Sequence, residues 1–293
     1  MKTILWQRLS VHVALTLCAA FCLVPFLLLV AASITDEREI ALHGYTFFPK
    51  ELNFAAYRYL WVNAEQILRA YGITVIVTVA GTTAGLLFTA LLAYPISRKD
   101  FPVRGFLSFY VFFTMLFNGG LVPTYLLYTN VFDLKNTILA LILPNLLING
   151  FFVILMRTFF ATSIPSAVIE SAYIDGAGEF KIFYRIVLPL SLPVLATVGL
   201  FVSIGYWNDW FNGLIFITES KMYSIQNMLN RMLLDIEFMK SSTQTNLSGL
   251  VAELPTRGMR MAVAVVGVLP ILLAYPFFQK YFVKGLTIGA VKG

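Results

Sequence analysis

A run of about 20 apolar residues with few charges spans the roughly 30 Å hydrocarbon core of a bilayer as a single helix, so such runs constrain this fold before any motif does. Six occur, over Val11–Ala32, Gly72–Ile96, Phe106–Tyr128, Ile138–Met156, Ile186–Ile217 and Met261–Phe282. Charged residues are only 12 % of the 293 and apolar ones 59 %, whereas soluble domains carry about 25 % charged residues. The sequence therefore predicts an all-α, polytopic membrane protein, six transmembrane helices in a single domain over 1–293. Lys2 and Arg8 precede the first run as they would in a signal peptide. Its 22 residues exceed the roughly 7–15 of a signal core, and it reads as a retained anchor.

Orientation follows from Lys and Arg in alternate loops, with short loops weighing most. With the amino terminus inside, inner segments hold 11 basic against 4 acidic residues, and outer segments 10 against 10. The short loop bearing Arg98, Lys99 and Arg104 is basic, as are both ends of the chain. Both termini are thus expected on the cytoplasmic side of the cell (inner or plasma) membrane. The net charge of +6 then reflects a face against membrane lipid, not nucleic-acid binding.

Catalytic and energy-coupling chemistry would announce itself in residue types, and most are missing. There is no Gly-x-x-x-x-Gly-Lys-Ser/Thr phosphate cradle, no His-Glu-x-x-His and no Gly-x-Ser-x-Gly. His12 and His43 lie in different segments, and Cys18 and Cys22 fall together in the first run, short of the four ligands of a structural zinc. No catalytic residue, bound cofactor or metal is expected, and ATP driving transport would be hydrolysed by another chain. An ion-gradient transporter is the rival, but it needs ionisable groups near the membrane midplane, and Asp209 is the one carboxylate in an apolar run. Asn118-Gly-Gly120 and Pro123 in the third run, and Pro189, Pro193, Gly199 and Gly205 in the fifth, are helix breakers. They fit a bundle around a water-filled pathway or ordinary kinked packing.

The polar stretch over 163–189 stands out in this apolar chain. Pro165 suits a first helical turn, with Ser163 or Ser166 to cap it. Val168, Ala172 and Gly176 recur every four residues and draw a small-residue stripe, leaving Glu170 and Asp175 for ionic contacts. Gly176 and Gly178 permit a bend before an amphipathic piece, Glu179–Arg185, returns to the membrane at Ile186. On residues alone this is either a plug for a soluble motor or an interfacial helix lying on headgroups.

The spacing Glu170-Ser-Ala172, three residues, Gly176, nine residues, Ile186-Val-Leu188-Pro189 resembles the Glu-Ala-Ala coupling motif of ATP-binding-cassette (ABC) importer permeases, with Ser171 as the departure. The resemblance implies a type I importer permease fold with cytoplasmic coupling helices. It also implies a loop of Glu170, Ala172, Asp175, Gly176, Ile186, Leu188 and Pro189 that docks on an ATPase, with Glu170 and Asp175 facing basic partner residues and Gly176 forming the bend. The final residues, including Lys284, Gly285, Leu286, Thr287, Lys292 and Gly293, look like the tail of the maltose-G branch, which enters the ATPase dimer interface. Asn118–Pro123 and Tyr206–Phe211 are similar to permeases for oligosaccharides of acidic or pectic polysaccharides such as alginate.

Partners implied by the family are a second homologous permease, two ABC ATPase subunits holding ATP and Mg2+, and an extracytoplasmic solute-binding protein contacting the loop at 218–258. Candidates along a substrate pathway are Asn145 and Asn149, expected one turn apart on the fourth span, and Tyr206, Trp207, Asn208, Asp209 and Trp210 on the fifth. Trp207 and Trp210 suit sugar stacking or a membrane-interface belt. The two asparagines suit sugar hydroxyls or bonds to a neighbouring helix.

Overall fold

A computed structural model describes residues 2–144, 146–242 and 257–273. Among them helices account for the regular structure, and Thr35 and Leu52 form one isolated antiparallel bridge. The chain makes two compact units, one from residues up to Ile67 with the described part of Leu229–Leu272, the other from Leu68–Met228.

The first unit begins with α1 (Lys2–Ser33), whose stretch Leu9–Ser33 is predominantly apolar and free of Asp, Glu, Lys and Arg. At 1.5 Å per residue its 25 residues reach about 37 Å, enough for a bilayer. From Leu9 to Val30 no side chain is buried within the chain, as expected of a helix that is apolar all round and finds its solvent in lipid or another subunit. A polar knot follows it. Asp36 caps α2 (Glu37–His43) by accepting from the Arg38 N–H at 2.9 Å, and it also accepts from Asn53 Nδ2 at 2.9 Å. The Asn53 amide, then the Arg38 N–H, hold the Asp36 carboxyl below the usual carboxylate range. Ser33 reaches the hydroxyl of Tyr57, on α3 (Ala55–Val62), at 2.8 Å. Glu37 accepts from the N–H groups of Arg257 and Gly258, where a carboxylate complements the exposed amides opening a helix over 257–273.

The second unit is organised by α4 (Ala64–Ser97), a single 34-residue helix. Its glycines set how closely other elements approach. A Cβ on Gly81 would sit 2.4 Å from the ring of Tyr206, and one on Gly85 would sit 2.9 Å from the carbonyl oxygen of Leu147. Small residues at such crossings let backbones touch, which replaces the hydrophobic drive that lipid removes. Ala90, Ala93, Val153, Met156, Ile182, Val187 and Val198 fill the core.

Three of the predicted spans are interrupted. The run over 106–128 divides into α5 (Arg104–Leu116) and α6 (Leu121–Leu126), the latter prolonged by a π-turn to Val131, at a bend of 114°. Gly120 at φ 86° makes that break, a conformation open to glycine at little cost. The run over 138–156 holds only α7 (Leu139–Ile142) before the described residues of 143–149 leave the helix. Then α8 (Gly150–Ser163) begins and extends past the expected end. Pro144 stands in this break, and its missing N–H and ring disfavour continuation. The fifth run joins a longer path: α9 (Ser166–Ile174), α10 (Glu179–Ile182), a π-turn over Phe183–Val187 and α11 (Leu188–Leu190) precede α12 (Leu192–Trp207) and α13 (Phe211–Phe216). Pro193 cannot donate back to the preceding turn, and the chain bends by 80° between α11 and α12.

Among the described residues, two helices are long and apolar enough to cross a membrane alone, or up to five spans if each bent pair counts as one. Of the sixth predicted run, the part up to residue 273 is helical and the remainder lies outside the described residues. The helix α14 (Ile225–Ser242) occupies the first part of the expected loop at 218–258; residues 243–256 also lie outside.

Candidate functional site

The corner from Ile164 to Pro189 is a helix, a glycine turn and a second helical piece. Pro165 occupies the cap of α9 without any side-chain bond, so the serine cap expected from Ser163 or Ser166 is absent. Ser163 instead ends α8. The small-residue stripe is also displaced: Ile169 and Ala172 are buried, whereas Val168 is exposed and Gly176 lies beyond the helix with open space around it. A four-residue spacing suggested that stripe, but the helix ends at Ile174, two residues too soon.

Gly176 makes the turn. The Gly176 N–H donates to the Tyr173 carbonyl and the Ala177 N–H to that of Ala172, both at 2.9 Å. These bonds form a Schellman closure, which requires a left-handed residue; Gly176 has φ 73°. Glu170, Ile174 and Asp175 are left exposed, Ile174 by 87 %. The returning piece is anchored by buried Ile182, Phe183 and Val187; Ile186 and Leu188 are half-buried and Pro189 is exposed. One side of the corner is thus fastened into the core while the other presents a carboxylate-rimmed apolar tip.

A polar cluster that sequence spacing did not reveal holds the corner to α4. Glu179 accepts from the hydroxyl of Tyr173 through Oε1 and from that of Tyr94 through Oε2, the latter at 3.0 Å. Arg98 donates to the Tyr94 oxygen at 3.4 Å, lies 5.4 Å from the Tyr173 ring centre, and pairs with Asp100 through two bonds of 2.9 and 2.8 Å. The Asp100 bond raises the Arg98 guanidinium above its ordinary value, and the Arg98 bond lowers the Asp100 carboxyl. Burial, and then the Glu179 bond, raise the Tyr173 phenol. Two cavities flank the cluster, one of about 550 Å3 including Phe101, Phe180 and Phe183 in its wall, the other of about 670 Å3 including Lys99 and Glu170. A signal existed for Tyr173 and Glu179, which straddle the glycine bend. None existed for Tyr94, 85 residues from Glu179.

The pathway candidates are less gathered. Tyr206 is 2 % exposed, and its hydroxyl donates to the Ile142 carbonyl at 2.9 Å. Trp207 lies 6.3 Å from Tyr71, centre to centre, and Trp210 meets Phe211 edge-on at 5.8 Å. Asn208 bonds back to Ile204 in its own helix. Asp209 accepts from the N–H groups of Phe211 and Asn212, both at 3.1 Å, as a cap at the start of α13. Asn212, which spacing did not single out, donates to the Pro144 carbonyl at 3.0 Å. Asn149 caps α8 by accepting from Phe151. Asn145 lies outside the described residues; the described residues 143, 144 and 146–149 are not helical. Lys284, Gly285, Leu286, Thr287, Lys292 and Gly293 also lie outside the described residues.

Broken apolar helices around a long central helix, with a bent corner fastened on one side and exposed on the other, are the architecture of a helical, multi-pass membrane protein. Residues 66–288 match the family described as "binding-protein-dependent transport system inner membrane component". The chain is 41 % identical over 276 residues to Protein LplC of Bacillus subtilis (strain 168), covering 94 % of this chain and 90 % of that relative. It is 38 % identical over 295 residues to the polygalacturonan/rhamnogalacturonan transport system permease protein YtcP of the same organism, covering 100 % of both. A chain in the crystal structure of a bacterial ABC transporter involved in the import of the acidic polysaccharide alginate matches with a TM-score of 0.76 and 28 % identity, over 94 % of this chain and 97 % of that one. The protein belongs to the family of binding-protein-dependent transport system inner membrane components. It is a multi-pass membrane component of an ABC importer and not an enzyme.

Proposed function

We propose that this chain is one of two membrane subunits of an ATP-driven oligosaccharide importer, in which the corner at 163–189 receives the motion of an ATPase. The carrying observation is the Schellman turn at Gly176, which leaves Glu170, Ile174 and Asp175 exposed on a helix whose Ile169 and Ala172 are buried. Such a corner offers a carboxylate-rimmed apolar tip to a cleft with basic residues and passes displacement along α10 to α12. ATP and Mg2+ belong to two ATPase subunits, a second homologous permease completes the pathway, and a solute-binding protein delivers cargo to the outer side at the 218–258 segment. Both termini are cytoplasmic, and the carboxyl-terminal tail from Lys284 contacts the ATPase pair.

The cargo we infer is an oligosaccharide released from an acidic polysaccharide of the pectin or alginate kind. Support comes from the polygalacturonan/rhamnogalacturonan permease and the alginate importer, to which this chain is similar over nearly its whole length. Uptake of labelled oligogalacturonates and oligoalginates into proteoliposomes tests both parts. ATP-dependent uptake that requires the ATPase and binding-protein subunits is expected. Uptake driven by an ion gradient without any ATPase chain would replace this reading with a secondary transporter, and competition by neutral oligosaccharides alone would remove the acidic cargo.

A further inference from the structure

We propose that Glu179 is a positioning residue that fastens the coupling corner to the end of α4, so that the corner and this second span move as one body. The inference rests on the coupling role given to the corner above, and adds a second output to it. The path through α10 to α12 is continuous in the chain; the path to α4 exists only through side chains.

Tyr173 lies on the near side of the Gly176 turn and Glu179 on the far side, with Gly178 alone between the closure and α10. Glu179 accepting from Tyr173 therefore closes the bend, and its other oxygen, accepting from Tyr94, ties the closed bend to α4. Arg98 reinforces the same joint from the last turn of that helix outward, donating to the Tyr94 oxygen and lying over the Tyr173 ring, while Asp100 holds the guanidinium in place. Below the polar joint, Tyr94 packs on Phe183 with ring centres 5.3 Å apart. One carboxylate with two phenol donors from different elements fixes position in a way that a sliding apolar contact does not, because bonds to a charged acceptor are short-ranged and directional. Glu170, on the exposed side of α9, lines the same cavity as Tyr94, Arg98 and Tyr173. A push on the corner thus meets the joint before it meets the core.

The test uses the purified importer with its ATPase subunits, Cys18 and Cys22 replaced by Ala, and spin labels introduced through Lys99→Cys and Ala167→Cys. Both label sites are exposed. Their separation is measured without nucleotide and after trapping with ATP and vanadate. In the otherwise native chain the separation is expected to stay the same in both states. In Glu179→Gln and in Tyr94→Phe, which removes one hydroxyl, it is expected to shift or broaden on trapping, with transport-linked ATPase falling about tenfold for Glu179→Gln, as loss of a bond to a charged group implies. Adding Tyr94→Phe to Glu179→Gln should cost little more, since both break one joint. A native separation that changes on trapping, or variants whose separation behaves as the native one does, would overturn the proposal. Gly176→Val in the same background keeps the two readings apart: full ATPase coupling in that variant removes the coupling corner itself, whereas lost coupling there with unaltered separations in the Glu179 and Tyr94 variants removes only the joint.

Discussion

The corner at 163–189 and the end of α12 are both polar stretches in an apolar chain, yet they use their polar groups in opposite ways. At the corner, Glu179 draws together Tyr173 and Tyr94, from two different helices, and the tip beyond it is exposed. At the end of α12, Asn208 and Asp209 bond within a few residues of themselves, and the longer bonds of Tyr206 and Asn212 end on backbone carbonyls in a helix break. The first arrangement ties separate elements together; the second closes a seam. Polar residues in a membrane span are functional candidates by default, but a buried carbonyl freed by a broken helix also demands a partner, and that demand accounts for Tyr206 and Asn212 without any cargo.

This contrast can be broken most forcefully at Gly81. Gly81→Leu would drive a side chain into the Tyr206 ring, where even a Cβ lies at 2.4 Å. Overpacking of this kind costs about 1–3 kcal/mol or more, so a large drop in the detergent-solubilised Tm is expected; an unchanged Tm would show that α4 and α12 are not closely packed. Tyr206→Phe tests the seam next. It leaves the Ile142 carbonyl without its donor, and a loss of about 1–3 kcal/mol in stability is expected. A cargo role would appear as a raised transport KM with stability intact.

A smaller effect is expected from Asp209→Ala. Loss of a helix cap costs about 0.5–2 kcal/mol, and Asp209→Asn, which keeps an acceptor for the Phe211 and Asn212 N–H groups, should recover most of it. Recovery of stability without recovery of uptake would instead make the charge itself part of the pathway. The smallest effect is expected at the Arg98–Asp100 pair. The Asp100 carboxyl is lowered in the folded chain, so its contribution is present above the ordinary carboxylate value and is lost as pH falls through the lowered one. Because Asp100 is largely exposed, the contribution is about 1 kcal/mol or less, measurable as an acid-side loss of Tm that Asp100→Asn abolishes.

Much of this was legible in the sequence, for identifiable reasons. Apolar runs and breakers report on local rules, so the helical class, the break at Gly120 and the bend at Gly176 were all readable from residue type. Where a prediction depended on how far a helix runs, it failed: the stripe through Val168 and Gly176 assumed two more residues of α9, and the fourth span assumed an unbroken helix past Pro144. Contacts between elements left the weakest trace. Tyr94 carries no mark in the sequence beyond being an aromatic near the end of an apolar run, and only the fold brings it to Glu179. The glycines of α4 were silent for the same reason, since nothing near them in sequence says that Tyr206 and Leu147 occupy the space a side chain would need.

Gly176 is where the account is most exposed, because its conformation, at φ 73°, is the one a β-branched residue adopts least readily. The decisive measurement is cargo-stimulated ATPase and uptake in proteoliposomes containing the full importer with Gly176→Val, set beside the native chain at equal subunit incorporation. The account predicts that uptake and stimulation fall at least about tenfold while the ATPase subunits retain their unstimulated turnover, as a strained turn costing about 1–3 kcal/mol would displace the tip. Native levels of stimulation and uptake in that variant would contradict it, and the corner would then be an ornament of the fold and not its drive.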